Sequence, residues 1–129
     1  MKEVMAFLRP NKVNATKKAL ADAGHPSFSC RKCLGRGRQK LDAEALQMIL
    51  DTGAVPANAV GEQLSEGQRL IAKRFFLVIV PDGQVKEVVD TIIEANQTGN
   101  PGDGKIFVLP IDENYTVRTG ESTTENYSY

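Results

Sequence analysis

Thr98, Gly99, Asn100, Pro101, Gly102, Asp103, Gly104 and Lys105 run directly into the apolar residues Ile106, Phe107 and Val108. Glycines lack a Cβ, so successive backbone N–H groups can turn toward one anion. Lys105 adds a full positive charge where the loop ends. Hydrogen bonds to a charged partner are worth roughly 1.5–3 kcal/mol each. The segment therefore has the makings of a phosphate-binding loop. It is not a P-loop, because no G-x-x-x-x-G-K-[ST] pattern leading into a helix is present. Glycine-rich surface turns without a ligand are also common, so this segment alone leaves both readings open.

Two other groups of residues invite chemistry. Cys30 and Cys33 form a C-x-x-C pair, a spacing used by zinc and redox sites. Positions three apart in a strand face opposite sides, so the two thiols should not converge there. No second C-x-x-C accompanies them. His25 is the sole histidine and sits between Gly24 and Pro26, which reads as a loop position rather than a catalytic one. Arg36, Arg38 and Lys40 make a basic edge. A solvated face is the ordinary role of such charges, but the nearby glycines favour an anion contact for Arg38.

These residues need elements to position them. Met1 to Arg9 reads as a strand stopped by Pro10, and Asn11 is a candidate cap for a helix over 12–23. Gly24 closes that helix, and Ser27 to Leu34 reads as a second strand. Phe75 to Val80 is an unbroken apolar run inside a strand expected over 74–80. After Pro81 and Asp82, the residues Val85, Val88, Val89, Ile92 and Ile93 fall on one helical stripe. The glycine loop and a strand over 105–109 follow. The order β-α-β, long loop, β-α-β gives an α+β, ferredoxin-like split βαβ sandwich. Both helices then cover one sheet face. The other face needs cover, which a closed homo-oligomer supplies.

The long loop spans about 37–73, and loops this long are usually functional or disordered. Within it, Asp42 can cap a segment carrying Leu46, Ile49 and Leu50 and closed by Gly53. That small apolar face suits either a partner or a local mini-core. The polar tail over 121–129 reads as disordered or partner-dependent. The chain has 129 residues, with 16 Lys plus Arg against 16 Asp plus Glu. One domain is expected, and the balanced charge disfavours a nucleic-acid partner. No apolar run reaches the roughly 20 residues of a membrane span, and no signal-peptide pattern opens the chain. A cytoplasmic protein with reduced cysteines is expected.

Taken together, Gly35-x-Gly37-Arg38-Gln39-Lys40, Lys73, Val80-Pro81-Asp82, the Thr98–Phe107 segment and Arg118-Thr119-Gly120-Glu121 resemble the PII signal-transduction proteins. The resemblance covers nearly the whole chain outside the loop interior and the last residues. It implies a PII-like domain over 1–120 that assembles as a trimer with ligand clefts between subunits. Each cleft would bind ATP or ADP and, with Mg²⁺-ATP, 2-oxoglutarate. Phe7 and Ile79 would line the adenine pocket. Gly35, Gly37, Arg38, Gln39, Thr98, Gly102, Asp103, Gly104, Lys105 and Arg118 would meet the nucleotide. Gln39 would ligate Mg²⁺. Gln39, Lys73 and Gly102 would meet 2-oxoglutarate. The long loop, the family's T-loop, would grip or release a target.

Departures sharpen the expectation. No tyrosine lies between Gly37 and Lys73, which argues against control by uridylylation. Thr116 stands where the family often has a second arginine. The long T-loop, the segment Cys30 to Gly37 and the tail look most like the longer PII paralogue of nitrogen-fixation gene regions. That resemblance implies a non-enzymatic sensor, working with a shorter sister subunit, that inhibits nitrogenase until ATP and 2-oxoglutarate relieve it. A general PII protein acting on an ammonium transporter or a biosynthetic enzyme is the alternative. A small nucleotide-using enzyme on the same fold is a third reading, but it would need a base near the γ-phosphate, and His25 is poorly placed for that.

Overall fold

The computed structural model describes residues 1–37 and 70–123. By internal contacts, the chain divides into a main unit, Met1–Cys33 with Ala72–Tyr129, and a second unit, Leu34–Ile71. The segment expected to be capped by Asp42, the tip of the long loop and the tail beyond Thr123 fall outside the described residues.

Among the described residues, six strands and two α-helices run in the order β1 (Lys2–Leu8), α1 (Val13–Asp22), β2 (Ser29–Gly35), β3 (Ile71–Val80), α2 (Val85–Asn96), β4 (Lys105–Pro110), β5 (Asn114–Tyr115) and β6 (Ser122–Thr123). Four of the strands form one sheet in the order β2-β3-β1-β4. β1 pairs antiparallel with β3 and with β4. This interleaving of two βαβ units is the expected split βαβ arrangement.

Alternation along the strands makes the core. Val4, Ala6 and Leu8 of β1 and Phe76, Val78 and Val80 of β3 are buried on one face. Leu20 of α1 and Val88 and Ile92 of α2 cover them, and Phe28 stacks on Phe76 with ring centroids 4.7 Å apart. The stripe read on α2 faces this core, except that Ile93 stays 42 % exposed at the stripe's margin. Between the helices, the Asn96 amide donates to the Thr16 hydroxyl at 2.9 Å, and Thr16 donates to the Lys12 carbonyl at 2.8 Å. A buried polar pair is tolerated there because each donor finds an acceptor.

Several boundaries differ from the sequence reading. Each helix is entered through a 3₁₀ turn, Pro10–Lys12 and Asp82–Gln84. Asn11 therefore lies inside a turn and caps nothing; Lys12 holds the cap position of α1, with no side-chain bond. Pro10 sits where a missing N–H costs little, which favours the tight entry. Strand β3 begins at Ile71 rather than Arg74. Ser122 and Thr123, expected in a disordered or partner-dependent tail, pair with Tyr115 and Asn114.

The opposite sheet face carries a large apolar cluster at its centre. Phe7 lies opposite Phe75 and Lys105, and Met5 lies opposite Leu77 and Phe107. Phe7 packs against Phe75 at 5.3 Å and edge-on to Phe107 at 6.3 Å. Phe107 remains 47 % exposed. No helix covers this face among the described residues.

Candidate functional site

The glycine loop joins α2 to β4, beside the end of the central strand β1. Its backbone needs glycine at three points, since Gly99, Gly102 and Gly104 have φ of 86°, 96° and 119°. At Gly104 space is also limiting: an added Cβ would lie 2.1 Å from the Phe7 carbonyl oxygen.

Asp103 organises the loop from within. Its carboxylate accepts the Thr98 N–H at 2.8 Å, the Gly99 N–H at 3.0 Å and the Thr98 hydroxyl at 2.5 Å. Arg9, the residue after β1, donates to the same carboxylate at 2.5 Å and to the Pro101 carbonyl at 3.0 Å. Lys73 of β3 donates to the Gly102 carbonyl at 3.2 Å. Arg9, just past β1, and Lys73 of β3 thus hold carbonyls on consecutive residues of the loop. Lys105 opens β4 with an exposed side chain, on the sheet face of its cross-strand neighbour Phe7.

The hydroxyl and N–H of Thr98 hold the Asp103 carboxyl well below the usual carboxylate range, partial burial opposes them, and Arg9 and the Gly99 N–H reinforce the lowering. A carboxyl lowered by folding stabilises the native state above its unfolded value of about 3.9, and that contribution is lost as pH falls below it. We expect the urea midpoint of the wild-type protein to fall more steeply below about pH 4 than that of Asp103→Asn. Parallel curves over pH 3–7 would show that the loop bonds do not depend on the ionised carboxylate.

The structure brings together Phe7, Lys73, Thr98, Gly102, Asp103, Gly104 and Lys105. Ile79 shares the open face with Phe7 but lies opposite Glu3, four residues along β1. At a strand rise of about 3.3 Å per residue, that is roughly 13 Å away. Arg118 sits on a separate hairpin formed by β5 and β6, next to Val117, which is 98 % exposed. No hydrogen bond or ion pair joins Arg118 to the glycine loop among the described residues. Gly35 ends β2, and Gly37 follows as an exposed residue of the second unit. Arg38 and Gln39 lie outside the described residues.

Arg9 escaped the sequence reading. Its partner Asp103 is 94 positions away, and no local motif marks the pair. Of the other candidates, Cys30 is exposed and Cys33 half-buried, and no metal-holding cluster occurs among the described residues. The His25 side chain, read as a loop residue, is nearly buried, with Nε2 3.6 Å from a Glu87 carboxylate oxygen. No helix among the described residues is long and apolar enough to cross a membrane.

Comparison with known proteins gives this loop a context. The family model for the nitrogen regulatory protein P-II matches residues 1–121. A protein of Methanothermococcus thermolithotrophicus named nitrogen fixation nifHD region GlnB-like protein 2 is 43 % identical over 123 residues, covering 95 % of this chain and 94 % of that protein. The protein of the same name from Methanothermobacter marburgensis is 38 % identical over 126 residues, covering 97 % and 98 %. GlnB-like protein 1 of M. thermolithotrophicus is 38 % identical over 122 residues, covering 95 % and 98 %. With the family model matching residues 1–121 and these relatives about 40 % identical over nearly the whole chain, the chain belongs to the nitrogen regulatory PII family.

Proposed function

We propose that this protein is a non-enzymatic nitrogen sensor. It binds ATP or ADP at the glycine loop and 2-oxoglutarate beside it, and controls a target through the T-loop. The observation that carries this reading is the loop itself: three positive-φ glycines, carbonyls held by Arg9 and Lys73, and an exposed lysine at its exit. In the trans peptides of this loop, a carbonyl turned toward a cation turns the paired N–H the other way. That arrangement suits an anion with several oxygens.

Mg²⁺ fits the reading as a companion of ATP, and Gln39 would supply its protein oxygen. The metal would neutralise phosphate charge and give 2-oxoglutarate a shared ligand, which makes the two effectors cooperative. Lys73 would pair with a 2-oxoglutarate carboxylate. Lys105 would face the phosphates, and Arg118 would reach them from the neighbouring subunit.

The bare apolar face supports a closed homotrimer with the clefts between subunits. Light scattering should give three times the 14.1 kDa chain mass, and a monomer at micromolar concentration would contradict this. Because Lys105 is exposed, Lys105→Ala should weaken ATP by roughly tenfold or more, equivalent to one charged hydrogen bond, with little change in the denaturation midpoint. Unchanged ATP affinity by calorimetry would remove the lysine from the site.

The target we infer is nitrogenase, on the likeness to proteins named for nifHD regions. The GlnB-like protein 1 relatives suggest a shorter sister subunit as co-regulator. In a nitrogenase assay, the protein with its sister should inhibit, and ATP plus 2-oxoglutarate should restore activity. Full activity at every effector concentration would direct the search to a transporter or biosynthetic enzyme instead.

A further inference from the structure

We propose that Arg9 is the positioning residue of the nucleotide site: with Asp103 it forms a strut that fixes the loop around Gly102 and neutralises the one carboxylate inside it. The proposal rests on the reading of the loop as a phosphate site.

Local sequence explains why Arg9 can do this. It follows Leu8, the last residue of the central strand β1, and precedes Pro10. A residue before proline is confined to extended backbone, and Arg9 has φ −67° and ψ 141°. Its side chain therefore leaves from a fixed backbone anchored in the middle of the sheet. The guanidinium is planar with several donors, which lets it bridge two acceptors at once. It bonds Asp103 through one nitrogen and the Pro101 carbonyl through the other, on either side of Gly102. Both ionic side chains are partly buried, with 25 % and 24 % exposure. A lysine would keep the charge but not the two-point bridge.

Asp103 is thereby an internal brace and not a phosphate contact. Its oxygens already accept Thr98, Gly99 and Arg9. Without Arg9, a carboxylate lacking its countercharge would stand within the loop that receives phosphates. The Pro101 carbonyl would also be free to rotate.

Two measurements on the full-length chain test this. The first is ADP affinity by calorimetry. Arg9→Met should weaken ADP at least about tenfold, Arg9→Lys should recover part of the loss, and adding Asp103→Asn to Arg9→Met should recover part again by removing the unpaired charge. The second is amide hydrogen exchange without ligand, where Arg9→Met should speed exchange at Thr98 and Gly99. If Arg9→Met and Arg9→Lys bind ADP as wild type does, or if the losses from Arg9→Met and Asp103→Asn simply add, the proposal is overturned. Failure of the wild-type protein itself to bind ADP would overturn the phosphate-site reading instead, and unchanged exchange at Thr98 and Gly99 would then overturn the strut as well.

Discussion

Gly104→Ala should disrupt the glycine loop more than any other single methyl addition in it. The residue has φ of 119°, a region that alanine rarely adopts, and the new Cβ would lie 2.1 Å from the Phe7 carbonyl oxygen. That oxygen belongs to the central strand and cannot swing aside like a flexible side chain. Either the loop moves away from β1 or the register between Phe7 and Lys105 breaks. Backbone strain and the clash together should cost about 2–4 kcal/mol. Urea denaturation should show the loss, and ADP binding should fall with it, because Asp103 and Lys105 flank the displaced residue. A variant with wild-type stability and wild-type ADP affinity would mean that the loop is not held against β1 as described.

Lys73→Ala should separate the two effectors. In the structure, Lys73 donates to the Gly102 carbonyl. On the proposed reading, it exchanges that acceptor for a 2-oxoglutarate carboxylate. Losing a charged pair of this kind should weaken 2-oxoglutarate by roughly 10- to 100-fold. ADP should change by less than about fivefold, since Arg9 and Asp103 still shape the loop. Linkage requires that an effector weakening target binding be weakened by the target in turn. The variant should therefore stay on its target at ATP and 2-oxoglutarate concentrations that release wild type. Release as readily as wild type in a pull-down would remove Lys73 from the 2-oxoglutarate site.

Much of the fold was legible because its signals are periodic. The run Phe75 to Val80 and the stripe Val85, Val88, Val89, Ile92 and Ile93 each match one element, and both do in the structure. Their order gives the split βαβ topology without reference to any tertiary contact. Helix entries were less legible. Asn11 looks like a cap by type, but Pro10 starts a 3₁₀ turn that moves the cap to Lys12. The glycine loop announced itself by composition, yet its internal logic did not. Asp103 reads as a phosphate neighbour in sequence; in the structure its oxygens face Thr98, Gly99 and Arg9. A contact spanning 94 positions leaves no trace in local pattern, so Arg9 became visible only when β1 and the loop came together. Ile79 and Arg118 are a different case: Ile79 lies four residues along the sheet from Phe7, and no hydrogen bond or ion pair joins Arg118 to the loop among the described residues, so the proposed trimer is what would unite them with it.

The central claim is that one site senses nucleotide and 2-oxoglutarate together. Titrating 2-oxoglutarate by calorimetry into the wild-type protein saturated with Mg²⁺-ATP, and in parallel with ADP, tests it most directly. The account predicts saturable binding with Mg²⁺-ATP and none with ADP. Equal heats in both titrations, or none in either, would contradict it.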